Sequence, residues 1–256
     1  MTYVREPLPT HVRDVPALPS RASAALEDVF RDVGLDPSDP AREAIEGHLR
    51  LLLAWTTAIN LTAVRDPETA VERHVRDSLS AIPVLRSLAP RRLLDLGSGG
   101  GYPGLPLAAV LPVEALLVDP VAKKVRFLET AVAAISLDDR VGTRAVRAEA
   151  LAADPTHRGR WDVVTARAVA ALPELIELAL PLLSPGGTLV AWKRGGRPDE
   201  IVAGGRAAAA LGGGRPRSVP APLPGLEGHV LVTVTKRGPT PSAIPRDPAV
   251  RTRRPW

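Results

Sequence analysis

Residues 91–111, RRLLDLGSGGGYPGLPLAAVL, constrain the fold more than any other stretch. A short apolar run ends in an acid, a glycine-rich bend follows, and an apolar helical run begins directly after it. Strand, glycine turn and helix together open a βαβ unit, and bare backbone at such a turn lets a ligand come close. Downstream, EALLVDP, VGTRAVRAE, WDVVTARA and SPGGTLVAWK read as strands. KKVRFLETAVAAISL, PELIELALPLL and DEIVAGGRAAAALG read as helices, and HVLVTVTK as a late alternating strand. Strands alternating with helices predict a parallel sheet covered on both faces, doubly wound by right-handed crossovers.

Before this unit the pattern is helical. Ser20 is placed to cap one helix that stops at Gly34, and Asp39-Pro40 and Asp66-Pro67 open two more, each an N-cap followed by proline at the first helical position. Residues 1–20 hold four prolines without apolar periodicity and are expected to be disordered. The expected organisation is this extension, N-terminal helices over 21–89, an α/β domain over 90–237 and a basic tail over 238–256.

The chain of 256 residues has no cysteine, which excludes disulfides, thiolate zinc sites and thiolate nucleophiles. Its five histidines are scattered without metal-ligand spacing, so no metal is expected. No apolar run is long enough to span a bilayer, and the N-terminus lacks a signal-like core, so the expectation is a cytoplasmic protein without a membrane partner. The net charge of +5 sits at the C-terminus, where KRGPTPSAIPRDPAVRTRRPW carries six basic residues against Asp247 and the rest balances. A basic, proline-rich tail on a neutral body points to a polyanion partner.

The glycine bend has two registers. Gly99, Gly101 and Gly104 spell the dinucleotide pattern G-x-G-x-x-G, which would make an NAD-type oxidoreductase. Asp95, Gly97, Gly99 and Gly101 spell D-x-G-x-G-x-G, the pattern of S-adenosylmethionine (SAM) sites. Asp95 suits the ammonium group of SAM and would repel a pyrophosphate. Asp119, 22 residues after Gly97, can accept from ribose hydroxyls in either ligand. The Pro185-Gly186-Gly187 turn into the fifth strand resembles that of class I SAM-dependent methyltransferases. These observations favour SAM as the cofactor.

The acceptor is narrowed by chemistry. Without cysteine, covalent attack on cytosine C5 and radical iron–sulfur chemistry are excluded. No Asn- or Asp-Pro-Pro-aromatic tetrad follows the fourth strand, which disfavours exocyclic amines. TARA stands there instead and places Arg167 at the site. A nucleophile with its own lone pair, such as guanine N7, needs mainly alignment and no strong base. His74 and Asp77, one turn apart, read either as part of the substrate face or as a network joining helices to sheet, with the network favoured.

Residues 45–256 resemble the RsmG (GidB) family of small-subunit ribosomal RNA guanine-N7 methyltransferases. The resemblance rests on NLTAVRD, RHVRDSL, DLGSGGGYPGLPLA, KKVRFL, TARA, WKRG and TPSAIPR, in the family's order. It implies a class I SAM-methyltransferase fold: a Rossmann-like, doubly wound, mostly parallel seven-stranded sheet with an N-terminal helical extension. It implies transfer of a methyl group from SAM to N7 of one guanine in 16S rRNA, by a monomer acting on the small subunit or its RNA. Methylation of another RNA, or a non-catalytic RNA-binding assembly role, are the alternatives. The cofactor contacts implied or read from the residues are Asp95, Gly97, Gly99, Gly101, Tyr102, Asp119, Ala148, Glu149 and Arg167. Lys123, Lys124, Arg126, Lys193, Arg246, Arg251, Arg253 and Arg254 are expected to face RNA backbone. No residue is assigned as catalytic.

Overall fold

The computed structural model describes residues 7–195, 197–221 and 223–256. Helices come first: α1 Ser20–Asp32, α2 Pro40–Trp55 and α3 Pro67–Ala70, which runs through a π-helical segment Val71–Arg76 into α4 Asp77–Leu79, then α5 Ile82–Leu88. The α/β part follows: β1 Arg92–Leu96, α6 Gly104–Val110, β2 Glu114–Asp119, α7 Ala122–Ala134, β3 Val141–Ala145, α8 Ala148–Ala153, β4 Trp161–Arg167, α9 Leu172–Ala179 and β5 Leu183–Arg194. It closes with α10 Pro198–Ala210, β6 Arg217–Pro220, β7 His229–Thr235 and α11 Pro248–Arg253.

The sheet has seven strands in the order β3-β2-β1-β4-β5-β7-β6. Strands β1 to β5 pair in parallel, while β7 runs antiparallel to both β5 and β6. The order reverses between β1 and β4, which makes the carboxyl ends of those strands the natural ligand crevice. This is the class I methyltransferase architecture expected from the sequence.

Side-chain alternation along the strands divides the core into two layers. Leu93, Leu117, Val163, Val190 and Leu231 point into one, packed beneath α1, α2, α5, α6 and α7. Leu94, Val118, Val164, Ala191 and Val232 point into the other, beneath α8, α9 and α10. The N-terminal helices therefore share a continuous core with the sheet: Leu26, Phe30 and Leu49 belong to the same cluster as Leu117 and Phe127.

The helix starts follow local chemistry. The Asp39 carboxylate accepts from Ala41 N at 2.8 Å and that of Asp66 from Thr69 N at 2.7 Å, with proline next in both cases. The helical run opened by Asp66-Pro67 breaks at Ser80–Ala81, and Pro83 restarts it as α5.

Two terminal segments depart from expectation. Residues 7–19 lie along α2 instead of standing free: Arg50 donates to Pro16 O at 2.7 Å, Trp55 Nε1 donates to Pro9 O at 2.7 Å, and Val15 is buried. Residues 1–6 of that extension lie outside the described residues. The basic tail is likewise folded back. Arg158 donates to Pro241 O at 2.9 Å and Ile244 O at 2.8 Å, and Lys236 Nζ donates to Leu180 O and Leu183 O at 2.9 and 2.8 Å.

Candidate functional site

The glycine bend is held by two carboxylates from adjacent strands. Asp95 on β1 accepts from Gly104 N at 3.2 Å and from Thr165 Oγ1 at 2.8 Å. Asp119 at the end of β2 accepts from Gly99 N at 3.1 Å and Val121 N at 2.9 Å. Asp95 is fully buried, and desolvation pushes its carboxyl up to about 6 against the opposing hydrogen bonds. The sequence reading placed this acid on the SAM ammonium; here its side chain is turned inward, one oxygen onto the far end of the loop at Gly104 and the other onto Thr165 of β4.

The loop glycines divide by what surrounds them. Gly97, Gly99 and Gly101 all have positive φ, at 69°, 55° and 91°. A Cβ on Gly101 would lie 2.7 Å from His48 Nε2, and one on Gly104 would lie 2.3 Å from Leu117 Cδ2. These two are glycine because the loop presses against α2 and the sheet. A Cβ on Gly99 would meet nothing nearer than Gly97 O at 3.8 Å. The loop therefore offers its open side at Gly99, beside Asp119, with Gly97 next to it under Val169 Cγ2. The crowding at Gly101 accounts for its missing side chain and leaves the expected cofactor contact there to its backbone.

Tyr102 is turned inward as well. Its ring stacks on His48 at 4.5 Å and on His74 at 5.0 Å between centroids, and the Arg167 guanidinium lies 5.6 Å from its centre. Its hydroxyl is buried without a partner among the described residues, and burial pushes its ionisation upward. Burial holds both histidines down to about 4, with Arg167 adding to the effect at His74. His48 hydrogen bonds to Gly100 O at 2.7 Å and His74 to Thr62 Oγ1 at 2.8 Å. Tyr102 is thus a packing residue under the loop, and its ring does not reach the open edge.

Ala148 and Glu149 stand at the start of α8, past the end of β3, on the same sheet edge as Asp119. Glu149 is ion-paired with Arg251 of α11, which also reaches Glu174 at 3.2 Å. Arg246 holds the fully buried carboxylate of Glu177 through three contacts of 2.6 to 3.1 Å, joined there by Trp256 Nε1 at 2.6 Å. Arg246 and Arg251 are therefore not the RNA-facing cations expected of the tail: both are engaged by carboxylates of the body. Arg253 and Arg254 remain exposed, as do Lys123 and Arg126 on α7. Lys124 lies 3.6 Å from Asp119, and Lys193 is paired with Glu200 at 2.8 Å.

Beside the loop, past the ends of β4 and β5, lies a cavity of about 1050 Å³. Thr62, His74, Asp77, Arg167, Trp192 and His229 contribute to its wall. Asp77 organises it: Oδ2 accepts from Arg167 at 2.9 Å, Oδ1 from His229 Nδ1 at 3.0 Å, and its backbone carbonyl from Trp192 Nε1 at 2.7 Å. The network expected to join helices to sheet through Asp77 thus also lines a ligand-sized space. Arg167 faces this cavity. Arg73 and Arg194 line it too and are exposed. His229 and Trp192 were not singled out from the sequence; Trp192 reaches the site from β5, opposite Arg167 of β4, and His229 because β7 inserts antiparallel beside β5, pairing Arg194 with His229.

The residues present fit SAM. The open glycine at Gly99, the acid at Asp119 and the partly exposed Ala148 and Glu149 line one sheet edge, at the crevice where ligands of this fold sit. Among the described residues no cluster of acids and histidines could hold a metal ion, and no helix is long and apolar enough to cross a membrane.

Comparison with known proteins agrees with this geometry. The chain is 43% identical over 205 residues to the ribosomal RNA small subunit methyltransferase G of Roseiflexus castenholzii, covering 80% of this chain and 87% of the relative. It is 40% identical over 244 residues to the protein of the same name from Deinococcus radiodurans, covering 93% and 96%. Among solved structures, an O-methyltransferase from Bacillus cereus in complex with SAH aligns with a TM-score of 0.52 at 17% identity, covering 75% of this chain and 90% of that one, a likeness of fold. A family model, GidB, described as rRNA small subunit methyltransferase G, matches residues 41–222. With that model spanning most of the sheet and its helical cover, the chain belongs to the GidB family.

Proposed function

We propose that this chain transfers a methyl group from SAM to N7 of a guanine in 16S rRNA, in the cytoplasm, acting as a monomer on the small subunit or its RNA. The observation that carries the reading is the adjacency of two spaces at the strand-order reversal: the glycine edge, open at Gly99 beside Asp119, and the cation-lined cavity next to it. SAM, when bound, supplies a methyl group activated by its sulfonium.

In this reading, Gly97 and Gly99 admit the cofactor backbone, Asp119 orients its ribose, and Ala148 and Glu149 border its base. The cavity takes the guanine. N7 carries its lone pair in the ring plane, so the chain has no proton to remove before attack. It needs only to hold N7 in line and exclude water. The cavity is built for alignment, since Arg167 is fixed by Asp77 and by Arg73 O at 3.1 Å, a rigid wall more than a mobile acid or base. Exposed Arg73 and Arg194 at the cavity supply phosphate contacts that the tail arginines, apart from Arg253 and Arg254, do not.

Titration calorimetry with SAM and NADH tests the cofactor: binding of NADH in place of SAM sinks the reading. Mapping 7-methylguanine in 16S rRNA from a strain lacking the gene tests the reaction, with one N7-methylguanine expected to be missing.

A further inference from the structure

His229 is tethered in the cavity wall by one ring nitrogen and open at the other. Its Nδ1 is engaged by Asp77 Oδ1 at 3.0 Å, whereas its Nε2 makes no hydrogen bond among the described residues and is not sealed from solvent. A carboxylate at Nδ1 fixes the tautomer with the proton on that nitrogen, so Nε2 presents a lone pair. Of the other polar groups in the wall, Arg73, Arg167, Lys193 and Arg194 only donate, Trp192 Nε1, His74 Nε2 and Thr62 Oγ1 have partners, Asp66 and Glu72 are engaged by Thr69 and Arg76, and the carboxylate of Glu68 stands exposed. His229 Nε2 is the half-buried acceptor whose ring is held in place by a partner, beside a cluster of donors at Arg73, Arg167, Lys193 and Arg194.

Resting on the methyltransferase reading above, we propose that His229 is a specificity-determining residue that accepts the N1–H of the target guanine. Guanine carries a proton at N1, where adenine and 2-aminopurine carry a lone pair, so an acceptor there selects guanine and repels the other two. Methylation at N7 leaves the purine cationic and strengthens its N1–H as a donor. The same contact therefore tightens as the reaction proceeds, the condition under which binding raises rate. Asp77 is the positioning residue, fixing ring and tautomer while its second oxygen holds Arg167.

The test compares kcat/KM for unmethylated 16S rRNA carrying guanine or 2-aminopurine at the methylated position, with labelled SAM. The wild type is expected to prefer guanine by about 10- to 100-fold, the range for one well-made base contact. His229→Asn keeps a donor for Asp77 and removes the Nε2 acceptor, so the preference should collapse. His229→Gln carries an amide oxygen near the Nε2 position and should retain part of it. The ratio of two substrates does not depend on the fraction of folded enzyme. Were His229→Asn to transfer no methyl group, the ratio would be read from competitive binding of the two RNAs to protein loaded with S-adenosylhomocysteine. A wild type without the preference, or a His229→Asn variant that keeps it, overturns the proposal. A wild type that methylates neither RNA overturns the reading on which it rests.

Discussion

The carboxylate of Asp77 lies 2.9 Å from the guanidinium of Arg167, across 90 residues of chain, and joins the helical cover to the end of β4. Both groups are largely buried, and the same carboxylate holds His229. Asp77→Asn removes the charge without the shape and leaves Arg167 uncompensated. A loss of about 3 kcal/mol in unfolding free energy is expected, the scale for breaking a buried pair from one side. Urea denaturation of the variant measures it, and a change within about 0.5 kcal/mol would mean that Arg167 finds another partner.

The glycine loop predicts a contrast between neighbours. Gly99→Ala adds a methyl group to open space at φ 55°, so its cost in stability should stay near the ~1 kcal/mol of a left-handed residue. Its effect should fall on SAM, with affinity reduced tenfold or more. Gly101→Ala drives a Cβ to 2.7 Å from His48 and 2.8 Å from Leu105, so about 3 kcal/mol of stability should go first. Calorimetry and thermal melts on the two variants separate the roles. Equal melting temperatures would contradict the assignment.

Truncation after Pro245 deprives the buried Glu177 of Arg246 and Trp256. The shortened chain should lose about 3 kcal/mol, because the Glu177 carboxylate loses the cation that pairs it. Adding Glu177→Gln to the truncated chain should restore part of the loss, since an amide is cheaper to leave buried. Melting curves of the three proteins decide; no recovery by the second change would place the loss elsewhere in the tail.

Salt dependence locates the RNA surface. Removing Arg73 or Arg194, which line the cavity and are exposed, should lower the slope of log affinity against log salt by about 1 each. Arg246→Met should leave that slope unchanged while lowering stability. Filter binding across a salt series reads both. A tail variant with the larger slope change would return RNA binding to the C-terminus.

The buried histidines set a pH trend. His48 and His74 have their ionisation held down to about 4 from 6.5 by burial, so between those values the unfolded chain binds protons that the folded chain refuses. Stability contributed by each is full above pH 6.5 and is lost as pH falls, by up to about 1.4 kcal/mol per pH unit. Asp95, raised from 3.8 to about 6, works the other way over much of the same window and offsets one of the two. His48→Gln should therefore flatten the fall in stability between pH 6.5 and 4. An unchanged slope in denaturant titrations at several pH values would show that His48 charges in the folded state.

The parts legible from sequence were those with a local cause. The alternating strands, the two Asp-Pro helix starts and the glycine bend each follow from residues within one short window. Four things had no such cause. Strand β6, Arg217–Pro220, is four residues ending in proline and is a strand only because β7 offers it an edge. Arg246 reads as a free tail cation until Glu177, 69 residues earlier, is seen to be buried without other charge. Asp95 reads as a ligand group because its charge suits the SAM ammonium, whereas its orientation depends on Thr165 of the next strand. His229 was out of reach for the same reason: its partner lies 152 residues away.

The column of rings formed by His48, Tyr102 and His74 has a consequence for how the protein is made. Its two outer members leave the ribosome before the middle one, and the α1 and α2 side chains Leu26, Phe30 and Leu49 likewise precede the β2 and α7 residues that cover them. Chains emerge from the N-terminus. The helical cover must therefore wait as an open, apolar, incomplete half, so the interval between synthesis of α2 and of the glycine loop is when this protein is most exposed to aggregation and in greatest need of a chaperone.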